Sequence, residues 1–161
     1  MNLFIGIDPG LTGAVAGIDS AGDVVLLDDL PTIHRGKGRV KRELDPAGLA
    51  HILRPLTGDP STVIVEAVAS RPGQGVASVF SLGHTLGAIV GVLAALGMGY
   101  QLTPPGTWKK AMQVSSDKDA ARATASRLFP AVDLRRKRDH NQAEALLMAA
   151  YARHRWRAGI D

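Results

Sequence analysis

Apolar positions along the chain fall into short continuous runs and longer periodic ones, and the two predict different elements. Leu3 to Ile7 is a short apolar run that predicts a buried strand, closed by the turn signal Asp8-Pro9-Gly10. Small and apolar residues alternate from Thr12 to Ile18, and Val24 to Leu27 follows a Gly22-Asp23 turn. The chain therefore opens with three consecutive strands, an antiparallel meander. Asp45-Pro46 reads as a cap followed by proline at the first helical position. That helix carries Leu49, Ile52 and Leu53 and stops near Pro55. The β-branched run Ser61 to Val68 predicts a central strand. A long helix follows from about Val76 to Leu96, then a short strand at Gln101 to Thr103. Three more helices complete the chain: a short one after Pro104, one from Asp117 to Leu128, and a last from Asp139 to about Arg157. His34 to Arg42 and Arg71 to Gly75 have no periodicity and read as loops. This order predicts one α/β domain over residues 1–161 with a mixed sheet.

The long helix has two unusual features. Gly83, Gly87 and Gly91 recur at four-residue spacing and share one face, which predicts close packing on the sheet or on a second subunit. The stretch Val79 to Tyr100 is also nearly uncharged and long enough to span a bilayer. It holds His84 and five glycines and has no flanking anchors, so a buried helix in a protein without a membrane span is the expectation.

Composition narrows the picture. Aromatics are 4% of the 161 residues, so Val, Leu, Ile and Ala must build the core. The absence of cysteine excludes disulfides, thiolate zinc sites and cysteine nucleophiles. It fits a reducing cytoplasm, and the opening residues show no secretory pattern. The formal net charge is +4, which bears on nucleic acid only where the charge clusters.

Four acidic residues stand at the ends of predicted elements. Asp8 closes the first strand within Ile-Gly-Ile-Asp-Pro-Gly. Glu66 lies within Val-Ile-Val-Glu-Ala-Val, where an unpaired charge is costly and a cation or partner is expected. Asp139 is at the start of the last helix, where a capping role competes. Glu144 precedes Ala-Leu-Leu-Met-Ala-Ala and shares a helical face with His140, four residues earlier. Three chain regions thus bring carboxylates toward one end of a sheet. Oxygen ligands of this kind suit Mg2+ or Mn2+ rather than zinc. A pair of such ions roughly 4 Å apart supports in-line phosphodiester hydrolysis without a covalent enzyme intermediate.

Gly-Ile-Asp-Pro-Gly-Leu-Thr-Gly at residues 6–13, Val-Ile-Val-Glu-Ala-Val at 63–68 and Asp-His-Asn-Gln-Ala-Glu-Ala-Leu-Leu-Met-Ala-Ala at 139–150 together resemble the RuvC-type Holliday junction resolvases. The segments around Gln74 and Trp108 look like the phage and prophage branch of that family. The resemblance implies an RNase H-like fold, with a five-stranded mixed sheet of three antiparallel and then parallel strands, flanked by helices. It implies a homodimeric endonuclease that cuts four-way or branched DNA by paired nicks with Mg2+, Mn2+ substituting. The setting implied is the cytoplasm of a bacterial or phage-infected cell. Asp8, Glu66 and Glu144 match the family's acidic positions, with Asp139 or His140 completing the site. Three positions depart from the pattern: Glu144 stands where the family usually has the shorter Asp, Asn141 stands where it often has Asp or His, and Ala69 stands where it often carries an aromatic that pries bases apart.

Basic and polar residues then become candidate DNA contacts. They are Arg35, Lys37 and Arg39 in the first loop, Arg71 and Gln74 in the second, Lys109 and Lys110 beside Trp108, Lys118, and the run Arg135, Arg136, Lys137, Arg138. Three rival readings stand beside this one. An actin-like ATPase also opens on a glycine-rich strand turn but needs two such domains. A non-catalytic module of the same fold has no need of three acidic regions. A nuclease acting on RNA or hybrids would share the chemistry and differ in its groove.

Overall fold

A computed structural model describes residues 1–34, 42–59, 61–70 and 72–160, without the side chain of Lys118. The proposed DNA contacts Arg35, Lys37, Arg39 and Arg71, and the side chain of Lys118, lie outside the described residues. The opening strands are β1 (Leu3–Asp8), β2 (Ala14–Asp19) and β3 (Val24–Asp29), paired antiparallel in sequence as expected. β2 starts two residues later than the alternation suggested, because Gly10 to Gly13 forms a tight turn closed by Gly13 N–H on Gly10 O at 3.1 Å. A Cβ at Gly13 would lie 2.0 Å from the Asp8 carbonyl, so only glycine fits there.

The expected loop over 34–42 is bounded by a short antiparallel ribbon, β4 (Thr32–His34) with β5 (Arg42–Leu44). Three-residue strands carry too little periodicity to be read from sequence. Helix α1 (Pro46–Leu53) is capped by Asp45, whose side chain accepts from Ala47 N–H. β6 (Ser61–Glu66) pairs parallel to the free side of β1, and β7 (Tyr100–Thr103) pairs parallel to β6. The main sheet therefore runs β3-β2-β1-β6-β7. Helices α2 (Val76–Ala95), α3 (Pro105–Ala111), α4 (Lys118–Leu128) and α5 (His140–Arg157) complete the chain.

Strand alternation divides the core in two. Phe4, Ala16, Ile18 and Ile64 face α5, together with Trp108 of α3. Ile5, Ile7, Val15, Val63 and Val65 face the other way, onto Leu49 and Leu53 of α1 and Ile89 and Leu93 of α2. Gly6 is the point of closest approach on the first face. A Cβ there would fall 2.1 Å from Ala145 O, so the missing side chain lets α5 lie directly on β1.

α2 departs from the buried helix expected. Only Thr85, Ile89, Val92 and Leu93 are buried. Val76 and Phe80 are 86% and 73% exposed, and nothing stands within 4 Å of a Cβ built at Gly83, Gly87 or Gly91. The glycine face does not lie on the sheet. The helix is long and apolar enough to cross a membrane by length and composition, yet its inner stripe packs on the domain core.

Candidate active site

Parallel pairing of β1 with β6 sets the centre of the site. Ile7 is in register with Val65, so the next residues, Asp8 and Glu66, end neighbouring strands at the same level. Each lies two residues beyond a member of the α5 face, Gly6 and Ile64, so both carboxylates belong to that face. β6 ends at Glu66 rather than at Val68, which puts this charge at the rim of the sheet, half-buried. The cost of a mid-strand charge is thereby avoided.

Glu66 accepts a hydrogen bond from the buried Trp108 indole, Nε1 to Oε1, at 3.0 Å. Glu144 lies on the first turns of α5, its side chain 13% exposed, and takes Lys109 Nζ on Oε1 at 2.7 Å. The partial burial of Glu144 agrees with its apolar sequence neighbours. The Lys109 ammonium pairs with Glu144 and lies over the Trp108 ring, and its side chain is 20% exposed. The exposed basic residue of that pair is Lys110.

Asp139 and His140 are held by different partners. Asp139 is 2% exposed, and its carboxylate accepts from Arg136 N–H at 2.8 Å and from the Arg136 guanidinium. The Arg136 guanidinium holds the Asp139 carboxyl below the usual carboxylate range, against the opposing effect of burial. Asp139 thus caps the single 3-10 turn Lys137–Asp139 that leads into α5. The competing structural role is the one it occupies. His140 is half-buried, and its Nδ1 lies 3.0 Å from the Lys137 carbonyl. A carbonyl only accepts, so Nδ1 carries the proton in this contact and Nε2 is the ring nitrogen left to meet a ligand.

The basic run before α5 is divided in the same way. Arg135 pairs with Asp133, whose carboxyl it lowers to about 2, and Arg136 pairs with Asp139. Lys137 and Arg138 are exposed. Two contacts with no local signal in the sequence tie the start of α5 to the β1–β2 turn and to β3. Asn141 donates to the Thr12 carbonyl, and Gln142 Nε2 donates to Asp29 Oδ1 at 2.8 Å.

Clefts with shared walls run past the strand ends. One is lined by Pro9, Glu66, Ala69 and Gln74. Its neighbour shares Gln74 and Leu82 and adds Gly10, Leu11 and Arg42. A third shares Leu11 and Arg42 and reaches His140 and Asn141. Together they follow the Pro9–Thr12 turn. Among the described residues, no three acidic or histidine side chains converge closely enough to enclose a metal ion.

Strand order, the meander followed by parallel strands, and the acidic strand ends define an RNase H-like α/β fold. At the level of the whole chain it is the fold of RuvC. A Thermus thermophilus RuvC solved with a Holliday junction substrate superposes with a TM-score of 0.75 over 99% of this chain and 98% of that one, at 18% identity. A second Thermus thermophilus RuvC structure gives 0.63 over 98% and 97%, at 19% identity. In sequence, 92 residues are 35% identical to the chloroplastic Holliday junction resolvase MOC1 of Chlamydomonas reinhardtii. That match takes in 55% of this chain and spans about a tenth, 10%, of the algal protein. No family model matches the chain.

Proposed function

We propose that this protein is a metal-dependent endonuclease that resolves four-way DNA junctions by paired nicks. The observation that carries the reading is the side-by-side placement of Asp8 and Glu66 on adjacent parallel strands, facing the helix that bears Glu144. The named activity of the algal relative and the DNA bound to the Thermus structure both support it.

The donor set fits magnesium, or manganese in its place. Asp8, Glu66 and Glu144 offer hard carboxylate oxygens, and His140 offers Nε2. Magnesium is commonly held by one or two carboxylates plus substrate phosphate and water, so a site without three converged protein ligands suits it. When bound, such a cation supplies a Lewis acid for the attacking water and the departing 3′ oxygen. The chain's own residues do the rest. A DNA strand would follow the clefts past Pro9 and Glu66, Gln74 lines the same cleft as Glu66, and Lys110, Lys137 and Arg138 offer exposed charge to phosphates. Asp139 keeps the turn before α5 closed, and so holds His140 in place.

Homodimerisation rests on α2. An outward face with Val76, Phe80 and three open glycines is an apolar surface that a second copy would cover. Two copies would supply the two nicks. Ala69 is exposed at the groove and brings no ring to separate bases, which favours activity on branched DNA beyond strict four-way junctions. The setting that follows is the DNA-containing cytoplasm of a bacterial or phage-infected cell. The test is a panel of four-way junction, flap, hybrid and linear substrates under one Mg2+ condition. Symmetric nicking of the junction, with linear duplex left intact, is expected; cleavage of RNA strands alone would overturn the reading.

A further inference from the structure

The proposed chemistry does not account for the buried indole of Trp108. Trp108 is 0% exposed and packed in the α5-side core, so its ring has no freedom to turn. A buried indole N–H needs an acceptor, and this one takes Glu66 Oε1 at 3.0 Å. The next residue of the same helix, Lys109, takes Oε1 of Glu144 at 2.7 Å and lies 5.1 Å from the Trp108 ring centroid. Consecutive residues of one seven-residue helix therefore hold one oxygen each of two glutamates, one from the sheet and one from α5. Thr103, the β7 residue in register with Glu66, is buried, yet its hydroxyl has no partner among the described residues. At that edge of β6 the indole, not the Thr103 hydroxyl, donates to Glu66.

We propose that Trp108 is the positioning residue of this site: its indole N–H fixes the Glu66 carboxylate, and through Lys109 the same helix sets how far Glu66 and Glu144 stand apart. The inference rests on the nuclease reading, because it presumes that Glu66 holds the metal. A partner hydrogen-bonded to a metal-binding carboxylate orients it, and removing such a partner typically weakens metal affinity or activity about 10–100-fold.

The test replaces the Trp108 indole with benzothiophene, whose sulfur keeps the shape and cannot donate, with Trp108→Phe as a second variant. Mn2+ affinity is measured by calorimetry without DNA, and junction affinity is measured in Ca2+. Circular dichroism melting confirms that the variants fold. The expected result is Mn2+ binding weakened about 10–100-fold with junction affinity and fold unchanged. A Trp156→Phe background leaves Trp108 as the sole tryptophan. There, Mg2+ should shift its fluorescence, and Glu66→Gln should abolish the shift. Unchanged Mn2+ affinity in a folded benzothiophene variant overturns the positioning role while leaving the nuclease reading intact. Metal binding that survives Asp8→Asn and Glu66→Gln in the otherwise natural protein overturns both.

Discussion

Lys109 Nζ lies 2.7 Å from Glu144 Oε1, joining α3 to the start of α5 across 35 positions of sequence. Glu144 is 13% exposed, so removing its cation leaves a nearly buried charge without compensation. Lys109→Met should therefore destabilise the fold by about 1–3 kcal/mol in urea denaturation. Adding Glu144→Gln should recover part of that loss, with a coupling energy of roughly 0.5–3 kcal/mol. Strictly additive losses would show that the pair carries no stability.

Asp139 and Arg136 make a second pair, and its signature is pH dependence. The Asp139 carboxyl is held below its ordinary value of 3.8, chiefly by the Arg136 guanidinium. The unfolded chain therefore takes up the proton first as pH falls. The stabilisation is complete above pH 3.8 and is lost as pH drops through the lower folded value. Asp139→Asn should cost roughly 1.5–3 kcal/mol at pH 7. The gap to the natural protein should close in strong acid. A gap that stays constant with pH would contradict the ion pair.

The open glycine face of α2 allows a substitution that separates assembly from folding. Nothing stands within 4 Å of a Cβ at Gly87, and leucine is a better helix former by about 0.8 kcal/mol. Gly87→Leu should leave the melting temperature of the single chain no lower. In sedimentation it should shift a dimer to monomer. A dimer that persists would place the subunit contact elsewhere.

The fold was legible where the pattern is local. The meander, the parallel β6 and all five helix spans follow from runs, turns and caps that lie within a few residues of each other. Asp8, Glu66 and Glu144 stood out because charge breaks apolar patterning, and the structure places Asp8 and Glu66 on one level. What sequence hid is non-local. Trp108 and Lys109 meet acids 42 and 35 positions away, and no spacing rule encodes that. Lys109 read as a surface cation because a basic pair beside a tryptophan looks the same exposed or buried. For Asp139 the sequence leaves capping and ligation open, because its partner Arg136 lies in a basic run that equally suits DNA contact. α2 read as buried because apolar composition does not say which face meets the core and which meets another molecule.

The most direct test of the account is cleavage of a synthetic four-way junction in Mg2+ by the natural protein and by Asp8→Asn and Glu66→Gln, with junction binding measured alongside in Ca2+. The account predicts paired nicks by the natural protein, loss of cutting by at least about 100-fold in each variant, and binding close to the natural level in both. Full cleavage by either variant would contradict it, because the two carboxylates that share one level of the sheet would then not be the centre of the chemistry.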